Sequence, residues 1–342
     1  MTTEIVLSWA DVERIAREAL VASNTSRDNA ECVSRSIAAA EADGLRSHGL
    51  MRVPAFCEQA LCGKIDGHAK PSFELPPEGA ASRPGVIRID ARDGFAHPAI
   101  ELGFASLLPA ARELGIAALA VTRSHNCGVV GHHVEWLAAH GLVALAYANT
   151  PAAIAPWGGA RAFFGTNPIA FAAPRRGELP LVLDQSASVV ARGEVMLAAR
   201  QGTSIPEGWA LDGNGAPTTD PKAALAGSML PAGGYKGAGI ALMVEVLAAV
   251  LTGATFSHEA SSFADSAGGP PRTGQLFIAL DPAAFSGDAF ASRLEALIEA
   301  MCSEPEVRLP GSKRAAARER AASHGIAVER ALYDDIVRRA AR

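Results

Sequence analysis

A serine, a histidine and an arginine in one short segment are the residue types that proton transfer to an anionic substrate requires. Ser47, His48 and Gly49 are consecutive, and Arg52 follows His48 by four positions. Histidine gains or loses a proton near neutral pH, and arginine binds a carboxylate through its planar, two-pronged guanidinium. On a helix, residues four apart share a face. The segment therefore predicts a device that holds a carboxylate and moves a proton nearby, although the pattern alone also fits a helix end.

A glycine-rich turn, Ser124-His125-Asn126-Cys127-Gly128-Val129, follows the apolar run from Ile116 to Val121. A turn between a strand and a helix can present backbone N–H groups to a phosphate. The segment lacks the G-x-G-x-x-G spacing, which argues against an ordinary Rossmann fingerprint. The nearby histidines suggest a metal site, but no cysteine pair or carboxylate cluster accompanies them, so we expect no metal.

Four further segments combine turn residues with groups that can bind a ligand. They are the Gly165-Thr166-Asn167-Pro168 turn, the strand-like run that ends in Asp184, the Gly233–Gly237 turn with Lys236, and the basic turn Arg308–Arg314. Polar side chains on rigid turns can hydrogen-bond a ligand, and clustered cations can bind a phosphate. Each segment fits a solvated loop equally well when it is taken alone. None has the spacing of a Walker A motif, which excludes a nucleoside triphosphatase of that type.

The elements that must position these groups divide the chain into a helical start and an α/β remainder. Ser8, with Asp11 three residues later, predicts the start of a first helix. A second helix is predicted from about Ser26 to Asp43, and a third from Gly49 to near Gly63. Residues 71–84 are predicted to form a Pro-rich loop.

Apolar runs of strand length then alternate with helical periodicity, which predicts the α/β class. The predicted strands are Gly85–Asp90, Ile116–Val121, Leu142–Tyr147 and Gln275–Leu280. The predicted helices are Ala99–Leu114, Val134–Ala139, Ala238–Leu251, Ala289–Met301 and Ile326–Arg342, with another over the Ala/Arg run Arg314–Ala322. The stretch from Pro151 to Pro231 is rich in Gly and Pro, which is typical of ordered functional loops.

The length, charge and cysteine content of the chain limit which classes of partner we expect. The chain has 342 residues and a net charge of −5, which provides no global attraction to nucleic acid or acidic membranes. We find no apolar stretch of about 18 residues and no signal peptide, so we expect no membrane partner. The five cysteines are scattered and odd in number, which favours reduced thiols and a cytoplasmic location.

The motifs together resemble those of the malate/L-lactate dehydrogenase family of NAD(P)-dependent oxidoreductases. SHG-x-x-R, the His125–Val129 turn, P-W-G-G, G-T-N-P and G-G-Y-K-G occur in that family's order, and the resemblance covers nearly the whole chain. It implies an α/β fold with a non-Rossmann cofactor domain, a mostly helical second domain and a homodimer. We place the helical domain, with substrate and dimer contacts, at residues 1–82 and 286–342, and the cofactor domain at 83–285.

The resemblance also implies roles for individual residues. His48 matches the family's proton donor beside Ser47, and Arg52 and Thr166 match its substrate contacts. The implied cofactor contacts are His125, Asn126, Cys127, Gly128, Val129, Asp184, Gln185, Ser186, Lys236, Arg308, Gly311, Lys313 and Arg314. Many relatives carry histidine where this chain has Asn126. Asparagine does not titrate, so residue 126 cannot be the acid/base here, and this strengthens the assignment of that role to His48.

Glu194 is a second distinguishing residue. It resembles the acidic residue at the matching position of the Δ1-piperideine-2-carboxylate/Δ1-pyrroline-2-carboxylate reductases, where the resemblance implies a Ser–carboxylate–His relay. Taken without the resemblance, Glu194 fits a solvated helix start equally well.

Three functional hypotheses remain open from the sequence. The first is NAD(P)H-dependent reduction of a cyclic 2-imino acid to L-proline or L-pipecolate. The second is a 2-hydroxy-acid dehydrogenase acting on malate, lactate or sulfolactate, with the same residues. The third is a non-catalytic binding protein, which the joint presence of Ser47, His48 and Arg52 disfavours. The cations Arg308, Lys313 and Arg314 favour NADPH as cofactor, with NADH as the alternative.

Overall fold

The structure is a computed structural model that describes residues 4–76 and 81–341. The strands are β1 (Glu4–Leu7), β2 (Ser72–Phe73), β3 (Val86–Asp90), β4 (Ile116–Ser124), β5 (Val143–Ala148), β6 (Ile169–Ala173), β7 (Leu181–Gln185), β8 (Ala210–Leu211), β9 (Pro217–Thr218), β10 (Ser228–Met229), β11 (Thr273–Leu280) and β12 (Ile326–Glu329). The helices are α1 (Trp9–Ala22), α2 (Arg27–Ala42), α3 (Val53–Leu61), α4 (Ala96–Leu114), α5 (Val130–Ala139), α6 (Arg192–Gln201), α7 (Pro221–Ala226), α8 (Tyr235–Glu245), α9 (Pro282–Phe285), α10 (Ala289–Met301), α11 (Ser312–His324) and α12 (Arg330–Ala340).

A mixed sheet of the order β2-β3-β4-β11-β5-β6-β7 forms the centre of the α/β part. The pair β3–β4 is parallel, whereas the other neighbouring pairs are antiparallel. Helices α4 and α5 bury Leu107 and Val134 against one face around Phe277. Helix α8 and the π-helical turn after it cover the other face with Val244 and Ala248. Both faces are thus shielded, and ligands must reach the sheet at its ends.

The helical part packs α1, α2, α3 and α12 around a second core. Ile15, Val33, Phe56 and Ile336 are its buried centre. Side-chain caps define two helix starts, because Ser8 Oγ accepts a hydrogen bond from the N–H of Asp11 and Ser26 Oγ accepts one from that of Asn29. The predicted starts of the first two helices are therefore confirmed.

A third, smaller core lies within the Gly- and Pro-rich region. The short sheet β10-β8-β9 packs with α6, α7 and α8 around Ile154, Phe164 and Val195. This region carries the Gly165–Pro168 turn and Asp184, two of the features that the sequence assigned to ligand binding, and its own core holds them in place.

Several predicted boundaries differ from the structure, and two of the differences change the arrangement of the helical part. The final helix does not begin at Ile326, because Ile326–Glu329 forms β12, antiparallel to β1. The alternating burial of Ile326 and Val328 suits a strand, and the pairing partner lies at the other end of the chain. The third helix begins only at Val53, because Gly49 separates two short 3₁₀ turns, Arg46–His48 and Leu50–Arg52.

The described residues also bear on domains and membranes. Helix α10, placed with the helical domain from sequence, is joined to the end of β6 by the bidentate Arg175–Glu295 pair, and the domain boundaries stay a prediction. Within residues 4–76 and 81–341, no helix is both long and apolar enough to cross a membrane.

Candidate active site

The segment with Ser47 and His48 lies between α2 and α3, and a buried glutamate shapes it. Glu41 Oε1 accepts a hydrogen bond of 2.6 Å from the N–H of Leu50. A Cβ atom at Gly49 would overlap the Glu41 carboxyl group, so the backbone can pass only because residue 49 is glycine. The four-residue spacing predicted that His48 and Arg52 lie on one continuous helix, and this prediction is wrong. They meet at one cavity because the two 3₁₀ turns fold side by side.

Ser47 and His48 form a hydrogen-bonded pair. Ser47 Oγ lies 3.1 Å from His48 Nδ1, which leaves Nε2 for another partner. Desolvation, followed by the positive charges of Arg52 and His132, lowers the pKa of His48 to about 4. The imidazole is thus neutral at pH 7 in the absence of substrate, because desolvation and the neighbouring positive charge disfavour its protonated form.

Arg52 provides a cation beside that histidine. Its Nη2 donates a hydrogen bond of 3.1 Å to the carbonyl oxygen of Phe263, and its guanidinium lies 5.2 Å from the Phe56 ring centroid. Burial lowers the pKa of Arg52 to about 10, so the group stays charged at neutral pH. The buried Nε has no hydrogen-bond partner among the described residues. A partly desolvated guanidinium with a free donor is suited to a substrate anion.

One cavity of about 490 Å³ brings most of the predicted site together. The predicted residues that line it are Ser47, His48, Arg52, Asn126, Cys127, Gly128, Val129, Thr166, Asp184, Gln185 and Ser186. The predicted residues outside its lining are His125, Glu194, Lys236, Arg308, Gly311, Lys313 and Arg314. The cavity is large enough for a small acid together with part of a cofactor.

The glycine-rich turn forms one wall of this cavity. Asn126 Oδ1 accepts a hydrogen bond of 2.8 Å from the N–H of Gly128, so Asn126 builds the turn. Gly128 has φ +71°, and a Cβ there would meet Ser36 Oγ and His97 Nε2 at 2.8 and 3.0 Å. The position therefore requires glycine. His125 lies behind the wall, packed against Phe263 with ring centroids 4.8 Å apart.

Burial explains the electrostatics of His125. Neither ring nitrogen has a hydrogen-bond partner among the described residues, and desolvation lowers the pKa of His125 well below its usual value. A neutral ring sealed between aromatic neighbours shapes the wall. The predicted contact of His125 with a cofactor stays a prediction.

The strand β7 separates the main cavity from a second one of about 220 Å³. Asp184 lines the first, while Leu181 and Val182 line the second, together with Gly311 and Arg314. Asp184 Oδ2 accepts a hydrogen bond of 2.7 Å from the N–H of Gly131, at the start of α5. The Nη1 of Arg314 is buried without a partner among the described residues. An unpaired buried guanidinium nitrogen beside a helix start fits a phosphate group.

Thr166 and its neighbour have separate tasks. Thr166 lines the cavity and its Oγ1 lies 3.2 Å from Thr150 Oγ1. Asn167 is fully buried, with φ +39°, and its Nδ2 donates to the carbonyl oxygen of Ala241 and to Glu245. Asn167 therefore anchors the turn so that Thr166 faces the cavity.

Three predicted residues lie apart from the chemistry. Glu194 is exposed on α6 and makes no side-chain hydrogen bond within the described part of the chain. The adjacent Gly193 does touch the segment, because a Cβ there would lie 2.7 Å from Ser47 Cβ. Lys236 is exposed at the start of α8, and Arg308 is exposed in the basic turn. The relay through Glu194 and these two cofactor contacts stay predictions.

Sequence reasoning missed some lining residues. Arg192, Arg200 and Phe263 all border the cavity. In the Ala191–Glu194 motif only the glutamate was predicted to be a site residue. Arg192, which directly precedes a glycine in the same motif, could have been predicted as well. Phe263 lies in a segment without a motif, and only the fold shows that its carbonyl oxygen holds Arg52. Among the described residues, no group of three or more His, Cys, Asp or Glu side chains is arranged to hold a metal ion.

Comparison with known proteins shows the family of this chain. A profile of the malate/L-lactate dehydrogenase family matches residues 7–337. The chain belongs to the malate/L-lactate dehydrogenase family. It is an oxidoreductase with the α/β fold of that family, and both predictions are confirmed.

Relatives within the malate/L-lactate dehydrogenase family have different names. The chain is 50% identical, over 97% of its own length and 97% of the relative, to (2R)-3-sulfolactate dehydrogenase (NADP(+)) of Chromohalobacter salexigens. It is 40% identical, over 98% of each chain, to Δ1-pyrroline-2-carboxylate reductase of Ancylobacter novellus. The crystal structure of Δ1-piperideine-2-carboxylate reductase from Pseudomonas syringae superposes with a TM-score of 0.91 at 37% identity, covering 98% of this chain and 99% of that one.

Proposed function

We propose that this protein reduces a cyclic 2-imino acid, Δ1-pyrroline-2-carboxylate or Δ1-piperideine-2-carboxylate, to the L-amino acid with NADPH. The observation that carries the proposal is the meeting of the Ser47–His48 pair and the Arg52 cation at one cavity. The names of the Ancylobacter relative and the Pseudomonas structure support this substrate class.

The residues have complementary tasks in this reaction. Arg52 binds the substrate carboxylate, which sets C2 and its nitrogen beside His48. Ser47 holds Nδ1, so Nε2 governs the proton at the substrate nitrogen. The carboxylate also neutralises the charge of Arg52, one of the causes of the low pKa of His48, so substrate binding raises that pKa toward the working pH.

NADPH supplies a hydride to C2 when it is bound. The turn Asn126–Val129 and Asp184–Ser186 would hold the part nearest the substrate. The buried, unpaired Arg314 and the neighbouring Gly311 would hold a phosphate in the second cavity, with Lys313, Arg308 and Lys236 as further contacts. The name of the Chromohalobacter relative, which specifies NADP(+), supports NADPH over NADH.

A substrate panel tests the proposal. NADPH and NADH oxidation are followed by their absorbance with pyrroline-2-carboxylate, piperideine-2-carboxylate, oxaloacetate and pyruvate. We expect turnover of the imines, faster with NADPH. Turnover of the keto acids alone would reject the imine assignment, and no cofactor binding by fluorescence titration would favour a binding protein instead.

A 2-hydroxy-acid dehydrogenase is the second candidate. The observation that favours it is the 50% identity to a sulfolactate dehydrogenase over nearly the whole chain. The same residues serve, with His48 taking the hydroxyl proton during oxidation and Arg52 binding the carboxylate. The keto-acid arms of the panel decide between the two substrates.

We also propose a homodimer in the cytoplasm. The α8 face, defined here as Leu242 and Met243 of α8 with Val246 and Val250 of the π-helical turn that continues it, consists of residues that are 42–55% exposed. Such an apolar stripe on one helix is suited to burial against a second copy. This surface lies in the predicted cofactor domain, whereas the resemblance assigned the dimer contacts to the helical domain, so one variant is placed in each. We expect Val246→Glu to convert a dimer to a monomer in light scattering, whereas Leu297→Glu on α10, in the predicted helical domain, leaves the mass unchanged. The five free cysteines support a reducing compartment.

A further inference from the structure

The chain segment of residues 263–267 forms part of the wall of the main cavity. Phe263 and Ala264 line that cavity, and the Phe263 ring packs against the ring of His125 with centroids 4.8 Å apart. Side chains on α3 and directly beside it donate hydrogen bonds to backbone carbonyl oxygens of this segment. The segment therefore connects α3 to the cavity wall.

Gln59 on α3 and Lys64 just after that helix hold alternate carbonyl groups of the segment. Gln59 Nε2 donates to the carbonyl oxygens of Phe263 and Asp265, at 3.1 and 2.8 Å. Lys64 Nζ donates to those of Asp265 and Ala267, at 3.0 and 2.5 Å. Because the carbonyl oxygen of Asp265 accepts from both side chains, the contacts are continuous along the segment. Gln59 and Lys64 are called the α3 clamp below.

Both residues of the α3 clamp are buried at a cost in stability. The Lys64 side chain is 0% exposed, and the one carboxylate within 4 Å of it in the described part of the chain is that of Asp265, at 3.8 Å on a side chain that is 56% exposed. The buried Oε1 of Gln59 has no hydrogen-bond partner among residues 4–76 and 81–341. Apolar side chains of similar length would fill these positions without burying a charge or an unpaired polar atom. The two residue types therefore point to a task other than packing.

The α3 clamp holds the same carbonyl group that fixes Arg52. Arg52 Nη2 and Gln59 Nε2 both donate to the carbonyl oxygen of Phe263, each at 3.1 Å. A guanidinium binds a carboxylate through two parallel N–H groups in one plane, so its orientation decides how well it binds. A displaced Phe263 carbonyl group would turn the guanidinium, and a misplacement of about 1 Å can cost about 10²-fold in rate. Neither Gln59 nor Lys64 lines the cavity, so any influence on the substrate passes through the segment.

We propose that Gln59 and Lys64 are positioning residues, which hold the 263–267 segment so that Arg52 presents its guanidinium to the substrate carboxylate. This inference rests on the proposed function, in which Arg52 binds that carboxylate. Loss of the α3 clamp should therefore weaken substrate binding, whereas proton transfer at His48 and the binding of NADPH should change little.

The kinetics of Lys64→Met and Gln59→Met test the proposal, because methionine is of similar length and has no hydrogen-bond donor. With the substrate that the parent enzyme reduces fastest, we expect KM to rise about tenfold in each variant, since a misdirected guanidinium loses about one charge-assisted hydrogen bond. We expect kcat and the Kd of NADPH to stay within about twofold. Gln59→Met, which removes no charge, provides the test if Lys64→Met does not fold. A fall in kcat with unchanged KM, or no change in either, overturns the proposal.

Two control variants separate the α3 clamp from simpler effects of charge. Lys70→Met removes an exposed cation close by in the sequence, and Asp265→Asn removes the carboxylate beside Lys64 but keeps the carbonyl group of residue 265. We expect KM to change less than about twofold in both. A rise in Asp265→Asn equal to that in Lys64→Met would assign the effect to the ion pair instead of the carbonyl contacts, and would overturn the proposal.

A double-mutant cycle tests whether the α3 clamp acts through Arg52. In the Arg52→Lys background the planar guanidinium is absent, so adding Lys64→Met should raise KM by less than about twofold, instead of about tenfold in the parent. Additive effects would show that the α3 clamp acts on another group, and the inference would be wrong.

Hydrogen exchange followed by mass spectrometry gives a readout without turnover. The amides of residues 260–267 should exchange faster in Lys64→Met and in Gln59→Met than in the parent, because the segment loses contacts that hold it. Equal exchange in the parent and both variants would contradict the α3 clamp. The proposed function fails separately, if the parent enzyme reduces no imino or keto acid.

Discussion

His48 and Arg52 are coupled through charge as well as through position. The positive charge of Arg52 is one cause of the low pKa of His48, second to desolvation. A substrate carboxylate removes that cause at the moment when the histidine must carry a proton. The site therefore keeps a neutral histidine when empty and favours its protonation when a carboxylate is bound.

The first prediction concerns proton transfer by His48. His48→Gln keeps a polar side chain but cannot titrate, so we expect kcat for reduction to fall about 10²- to 10⁴-fold. NADPH affinity, measured by fluorescence titration, should change little, because His48 contacts the substrate side of the cavity. Unchanged turnover with every substrate would show that the acid/base is another group.

The second prediction tests the coupling itself. Arg52→Met removes a positive charge, so the pKa of His48 should rise from its value of about 4. Arg52→Lys retains the charge and should leave that pKa low, although it loses the two-pronged contact and weakens carboxylate binding. Histidine titration by NMR in the absence of substrate measures the shift. Equal pKa values in the two variants would contradict the coupling.

At the scale of elements, one buried carboxylate links three parts of the site. Asp43 directly follows α2 and precedes the segment with His48, and its side chain has no exposed surface. Its oxygens accept hydrogen bonds from His132 on α5 at 2.9 Å and from Arg318 on α11 at 2.8 and 2.9 Å. Arg318 also binds Glu135 on α5. The segment that carries His48 is thereby fastened to the helix that follows the glycine-rich turn.

The third prediction removes this link. Arg318→Met leaves Asp43 and Glu135 without their shared cation, so we expect a loss of about 1 to 3 kcal/mol in the free energy of unfolding, discounted for the part of Arg318 that faces solvent. We also expect a lower kcat, because the segment before His48 loses its anchor. Arg320→Met, exposed on the same helix, is the control and should stay within about 0.5 kcal/mol. Urea unfolding and steady-state kinetics decide, and equal effects in both variants would refute the link.

What the sequence could predict at this scale follows from the range of the interactions. The starts of α1 and α2 were predictable, because Ser8 and Ser26 cap residues three positions away. The pairing of β1 with β12 was not, since the two strands lie at opposite ends of the chain. The position of β11 between β4 and β5 is equally hidden, because no local pattern specifies a distant neighbour.

The same distinction applies to the site. Ser47, His48 and Arg52 were predictable from type and spacing, although the break at Gly49 requires the packing of Glu41 against the turn. The contact of the Phe263 carbonyl oxygen with Arg52 was not predictable, because any residue can supply a backbone carbonyl. Arg192 gains its meaning only from the cavity, which the α6 start and the Ala152 wall form together.

Across the whole molecule, buried neutral histidines make stability depend on pH. Desolvation lowers the pKa of His97 to about 3, those of His48 and His133 to about 4, and that of His125 well below 6.5. The unfolded chain binds more protons than the folded one below about pH 6.5, so this stability is present above pH 6.5 and is lost as the pH falls through the folded values. Glu41 has the opposite effect on the pH dependence of stability. Burial raises its pKa to about 7, so the stability that it contributes at low pH is lost as the pH rises through that value.

The fourth prediction isolates one of these groups. Neither ring nitrogen of the buried His97 has a hydrogen-bond partner among the described residues, so His97→Phe removes a titrating group without breaking such a bond. The parent should lose about 2 kcal/mol more unfolding free energy than this variant between pH 7 and pH 5, because a histidine kept neutral in the fold costs that much over the interval. Urea unfolding at both pH values measures the difference, with His68→Phe at an exposed position as control. If the parent, the control and His97→Phe all lose the same unfolding free energy between pH 7 and pH 5, the prediction is wrong. That result would mean that the imidazole of His97 accepts its proton in the folded state.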